Sequence, residues 1–127
     1  MKLYLRSFAL FFFSLWLSQC QEVKSIEGLD TASWKSDRHA CKQIRTGLEG
    51  SFMENKNKLM GYSQQEIGKI LGKPDEMDLY KRNQKFFIYY LVPGKQCEGT
   101  NAKGRPRSLY IRFSAMNVSN EVFVRDY

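Results

Sequence analysis

Gly61-Tyr62-Ser63-Gln64-Gln65-Glu66-Ile67-Gly68-Lys69-Ile70-Leu71-Gly72-Lys73-Pro74-Asp75 is the stretch whose reading decides the fold. Ser63 is placed to accept from the backbone N–H of Glu66, and Glu66 to reach back to the N–H of Ser63, a complete capping box. Tyr62 and Ile67 stand where a hydrophobic staple belongs. Ile67, Ile70 and Leu71 fall at i, i+3 and i+4 and share one face. Gly72 ends the helix and Pro74 prevents its resumption. The spacing predicts about two and a half helical turns, too short to hold in water alone, so the helix must pack on another layer.

That layer follows in the chain. Asp78 to Arg82 reads as a short strand and Asn83-Gln84 as a tight connection. Lys85 to Val92, with Phe86-Phe87-Ile88-Tyr89-Tyr90-Leu91 inside it, is dense in aromatic and β-branched residues and closes at Pro93-Gly94. Both of its faces are apolar, which predicts a central strand. Leu109, Ile111 and Phe113 alternate with Tyr110, Arg112 and Ser114 as a half-buried strand. Ala115 to Asn120 turns, taking the sequon-like Asn117-Val118-Ser119 with it. Glu121 to Arg125 then returns as the last strand. Upstream, Trp34, Cys41, Ile44, Leu48 and Phe52 make one helical stripe that continues to Met60. Ser36 or Asp37 is its expected N-cap, Gly47 or Gly50 its expected bend, and Gly61 its C-terminal stop. Cys41 lies on the apolar stripe and is expected to point inward. The expected fold is α+β: two N-terminal helices packed on a three- to four-stranded antiparallel meander sheet.

The N-terminus carries a different message. Lys2 and Arg6 precede an apolar run from Phe8 to Leu17, and Leu17-Ser18-Gln19-Cys20 ends it, the layout of a secretory signal. The run is roughly half of the ~20 residues that cross a bilayer. A terminal cysteine suggests a lipoprotein, with Cys20 as the lipid-attachment site. Gln19 stands where Gly, Ala or Ser is usual, so cleavage after Cys20 to a soluble periplasmic protein is the alternative. The chain divides into a lipoprotein-type signal peptide at 1–19, an anchor cysteine and flexible tether at 20–33, and one α+β domain at 34–127. Export to an oxidising compartment makes a Cys41–Cys97 disulfide the natural pairing, with two buried free thiols as the alternative. His39 is the only histidine and no CxxC occurs, so neither a metal site nor a cofactor is expected.

Removing Lys2 and Arg6 from the 20 basic residues leaves 18 against 13 acidic ones, a mature charge of +5. Lys103-Gly104-Arg105-Pro106-Arg107, with Lys95 before it, is the one basic concentration. Lys95, Lys103, Arg105 and Arg107 thus form either a loop for an anionic partner or a solvated loop that blunts a hairpin. Export removes nucleic acid as a partner. His39 reads as a surface helix residue with no Ser or Cys placed to use it as a base, and Asp75, Glu76 and Asp78 read as a solvated turn. The expectation is a protein that is not an enzyme.

Together the lipoprotein-like signal, the polar tether, the run Gly61-x-Ser63-x-x-Glu66-Ile67-x-x-x-Leu71-Gly72-x-Pro74 and the aromatic strand resemble one family. Phe113 and the Glu121-Val122 strand add to the likeness. The family is that of the small outer-membrane assembly lipoproteins (BamE, also called SmpA or OmlA), and the resemblance runs over roughly Tyr62 to Arg125. It implies an α-α-β-β-β fold and a lipid anchor at Cys20 in the outer membrane, facing the periplasm. It also implies an accessory role beside the β-barrel assembly machinery, by binding envelope proteins. The β-lactamase inhibitor proteins share the architecture, and fold alone does not choose the partner. A periplasmic or secreted inhibitor or ligand-binding module, working through exposed Tyr89, Tyr110 and Phe123, is therefore the second expectation.

Overall fold

The computed structural model describes residues 25–127. The signal at 1–19 and the anchor Cys20 lie outside them. Among the described residues three helices precede a four-stranded sheet: α1 (Thr31–Ser36), α2 (Ile44–Glu54), α3 (Gln64–Leu71), β1 (Glu76–Tyr80), β2 (Gln84–Tyr90), β3 (Ser108–Phe113) and β4 (Ser119–Arg125). Short 3-10 turns at Arg38–Ala40 and Lys56–Leu59 flank α2. The class is α+β, and the sheet is an antiparallel meander in the order β1-β2-β3-β4.

The expected single helix from Trp34 is two helices, and the break is not at a glycine. Gly47 and Gly50 lie inside α2 with open space where a side chain would stand. The chain turns instead at 37–43, where His39, Ala40 and Gln43 take positive φ values of 71°, 59° and 61°. The Asp37 carboxylate makes that turn possible. It accepts from the backbone N–H of Lys42 at 2.8 Å and of Arg45 at 3.1 Å. It thereby does for the first turn of α2 what the Gln43 side chain at the N-cap does not. The helical stripe consequently spans two elements. Trp34 and Phe52 are buried and stacked with centroids 4.2 Å apart, whereas Cys41 and Ile44 are exposed.

Packing also begins earlier than Trp34. Ile26 and Leu29 are buried in the main core, and Asp30 caps α1 by accepting from the Ser33 N–H at 3.0 Å. The tether expected at 20–33 is thus part of the packed chain from Ile26 onward. α3 carries its capping box as read, with Ile67, Ile70 and Leu71 buried. On the sheet, Phe87, Tyr89, Leu109, Ile111, Phe113 and Val122 meet the helices in one core. On the opposite face Ile88, Tyr90 and Tyr110 pack with Ala40 in a second, smaller cluster. β1 starts at Glu76, two residues before the expected strand, and the hairpin closes through Arg82 and Asn83, both at φ 59°. At the far end, Ser119 is buried: its Oγ donates to the Leu59 carbonyl at 2.7 Å and accepts from the Tyr62 N–H at 2.9 Å.

Candidate functional site

The sheet register places three rows of side chains on the face turned away from the helices. Glu76, Ile88, Tyr110 and Phe123 form one row; Asp78, Phe86, Arg112 and Glu121 form the next; Tyr80 and Gln84 begin a third. Tyr110 stacks flat on Phe123 at 5.2 Å, and Phe86 meets both edge-on at 6.1 and 6.2 Å. Tyr80 closes on Phe86 at 5.6 Å. Above this aromatic floor lies an open groove of about 700 Å³, walled by Arg112, Arg125 and Tyr127 and reaching over β1 at Asp78 and Tyr80. A second cleft of about 500 Å³ runs toward the β1–β2 hairpin and the β3–β4 turn, and shares Leu79 and Tyr80 with the first.

Arginines set the charge of this face. Arg112 donates to Glu121 at 3.1 Å and to the Gln84 side-chain oxygen at 2.6 Å. The guanidinium of Arg125 lies 5.2 Å from the Phe123 ring and 5.6 Å from Tyr110, a cation–π placement. No carboxylate pairs with it among the described residues; a bond with Tyr127 strengthens its hold on the proton. Burial, then the Tyr127 hydroxyl, push Tyr110 up to about 12, against the pull of Arg105. The Tyr110 hydroxyl holds Tyr127 below the usual phenol range, against its partial burial.

The basic loop is built differently from either expectation. Arg105 folds back onto the sheet, reaching Glu76 at 2.6 Å, Asp78 at 3.2 Å and the Tyr110 hydroxyl at 3.2 Å. Arg107 pairs with Glu49 at 2.5 Å and with Asp126. Lys95 and Lys103 alone stay exposed, so the four cations do not form one anion site. The acidic cluster is likewise not a solvated turn. Glu76 and Asp78 are held by Arg105, and Tyr90 donates to Glu76. Burial works against the Glu76 charge, yet the Tyr90 hydroxyl and Arg105 hold its carboxyl below the ordinary range.

Asp75 belongs to a separate buried node. Its carboxylate accepts from Arg45 at 2.7 Å, from the Tyr90 N–H at 2.8 Å and from the His39 N–H at 3.2 Å, with His39 Nδ1 at 3.0 Å. Arg45 is 1% and the Asp75 side chain 0% exposed. His39 therefore sits in a left-handed turn beside a buried carboxylate, not on a helix surface. Of the three aromatics expected to be exposed, Tyr89 is in the helix-side core, donating to the Gly72 carbonyl at 2.9 Å. Tyr110 is buried in the groove floor and Phe123 is half-buried beside it. Cys41 and Cys97 lie at disulfide distance, with S–S 1.98 Å and Cα–Cα 5.6 Å.

Two features escape the sequence. The Arg45–Asp75 pair joins residues 30 apart, with no local pattern to announce it. The groove could have been found from the alternation of β2, whose Phe86, Ile88 and Tyr90 must face away from the helices if Phe87 and Tyr89 face toward them. No helix among the described residues is long and apolar enough to cross a membrane. No protein-family pattern, curated protein or solved structure matches the chain.

Proposed function

We propose that this chain is a non-catalytic lipoprotein of the bacterial envelope that works by binding another protein. Its place would be the periplasmic side of the outer membrane, as an accessory to β-barrel assembly or envelope integrity. The family likeness of the capped helix and aromatic strand, and the lipobox-like Cys20, motivate the location. One structural observation supports the binding role: an aromatic groove of about 700 Å³ stays open on the sheet face that the helices leave free. Exposed aromatic and arginine side chains are enriched where proteins meet. The same groove favours the second reading, a periplasmic inhibitor or capture module of this fold.

Two measurements test the proposal. The intact mass of protein extracted from membranes should exceed the Cys20–Tyr127 polypeptide by a lipid adduct; a soluble species beginning at Gln21 removes the anchor. A photo-crosslinking residue in place of Tyr127, in the groove wall, should capture β-barrel assembly components in intact cells. Capture of a soluble enzyme, with no envelope defect on deletion, decides for the inhibitor reading.

A further inference from the structure

We propose that the free edge of β1 receives an extended acidic segment of a partner protein as a fifth strand, seating alternate side chains in the open-face groove. The proposal rests on the binding role above and names how the partner is held. β1 ends the sheet, with β2 on one side only. Edge strands are ordinarily protected by lysine, proline or a bulge, or by a covering element. β1 reads Glu-Met-Asp-Leu-Tyr, with no lysine, proline or bulge in it. Its two acids point onto the sheet face, where unpaired charges would guard an edge, but Arg105 pairs with both.

Apolar surface collects at this edge. Met77 is 65%, Leu79 81% and Tyr80 54% exposed, within one five-residue strand. Successive residues of an added strand point to opposite faces. Those on the open face would enter the near end of the groove beside Tyr80 and Phe86. Those on the other face would cover Met77 and Leu79. Both clefts meet at Leu79 and Tyr80, so the pockets and the unpaired backbone lie along one line. Main-chain pairing with pockets for alternate side chains is the pattern of strand addition.

Charge selects the occupant. Lys73 before β1, Lys81 and Arg82 after it and Lys85 opposite Leu79 have no ion pair among the described residues. Every nearby acid is already engaged: Asp75 by Arg45, Glu76 and Asp78 by Arg105, Glu121 by Arg112. A strand alternating acidic and apolar residues therefore meets unpaired positive charge, whereas a basic one is repelled. A second copy of this chain would bring the same cations together, on a mature polypeptide already carrying +5.

The test uses the full mature chain and a synthetic peptide of about eight residues, alternating glutamate with valine and phenylalanine. Binding should protect the amides of Met77 to Tyr80 from hydrogen exchange and weaken with salt. Leu79→Glu should weaken it about tenfold or more, since it puts a charge on the edge and repels the peptide. Leu79 is so exposed that the variant should fold; should it not, a peptide of equal length and charge with a central proline in place of one valine carries the same test. That peptide lacks the needed donor and should not bind. Equal binding of the proline peptide, protection away from β1, or unchanged affinity in Leu79→Glu overturns the proposal. So does a dimer closed at β1 that Leu79→Glu dissolves. Failure of the peptide while Tyr127 crosslinks still capture an envelope protein refutes strand addition and leaves the binding role standing. Peptide binding with no envelope partner supports strand addition and refutes the envelope assignment.

Discussion

Arg45 is the residue on which the interior depends most. Its guanidinium donates to the Trp34 carbonyl at 3.1 Å, to Asp75 at 2.7 Å and to the Tyr90 carbonyl at 3.3 Å, and lies over the Trp34 ring at 4.7 Å. It joins α1, α2, the approach to β1 and the end of β2. Truncation would leave the Asp75 carboxylate buried without its cation, at a cost of about 3–5 kcal/mol. Arg45→Ala should therefore lower the unfolding free energy by that amount in urea titrations, and Arg45→Met with Asp75→Asn should cost less than the two changes summed. Additive costs would show that the pair is not coupled. A second test concerns Glu76, whose folded-state pKa lies below its ordinary 4.5. A depressed carboxyl favours the fold above its unfolded value, and that contribution disappears as pH falls through the lower folded value. Stability should thus fall on acidification below about pH 4.5, and Glu76→Gln should flatten this limb. An unchanged acid limb in the variant would sink the assignment. Neither residue announces itself in sequence, because Arg45 and Glu76 read as ordinary surface charges until distant partners are brought to them.

α3 shows the opposite relation between sequence and structure. Everything that defines it lies within a dozen residues: the Ser63 hydroxyl accepts from the Glu66 N–H at 3.2 Å, and the Ser63 N–H donates back at 2.9 Å. Local rules suffice where the signals are local. Ser63→Ala should accordingly cost about 1 kcal/mol, the ordinary value of a lost N-cap, and Glu66→Ala less. A chemical-denaturation midpoint unchanged by Ser63→Ala would mean that packing of Ile67, Ile70 and Leu71 alone holds the helix. The break between α1 and α2 was illegible for the converse reason. Its stop signal is not glycine or proline but Asp37, which captures two backbone N–H groups across a turn of non-glycine residues with positive φ. Such residues are uncommon there, and helical periodicity continued across the turn by coincidence. β1 was likewise displaced by two residues, because Glu76 joins the strand through Tyr90 and Arg105 rather than through its own β propensity.

At the scale of the molecule, the meander was readable from the alternation in β2, β3 and β4, and the Cys41–Cys97 pairing from export, while the left-handed turn that carries Cys41 was not. Beside the shared apolar core, the attachment of the helical layer uses that one turn. Cys41 follows the break after α1, Cys97 lies in the β2–β3 loop, and Gln96 donates to the His39 carbonyl at 2.8 Å between them. A bridge here ties the left-handed turn of the helical layer to the loop whose Arg105 and Arg107 return to Glu76 and Glu49. The sequence separation is 56 residues, and closing a loop of that length is worth about 4 kcal/mol in the chain-entropy account. Domains of this size have only about 5–15 kcal/mol in total. Reduction should therefore shift the denaturation midpoint strongly downward, and Cys41→Ser with Cys97→Ser should reproduce the shift without further sensitivity to reductant. The effect should concentrate where the bridge acts. Hydrogen exchange in the reduced protein should quicken first at 37–43 and 93–107, with β2 and β3 protected until global unfolding. Non-reducing peptide mapping should recover Cys41 joined to Cys97. Two freely alkylatable thiols in the native protein, or equal midpoints with and without reductant, would remove the bridge and leave the Gln96–His39, His39–Asp75 and Arg45–Asp75 bonds to tie the layers at this turn.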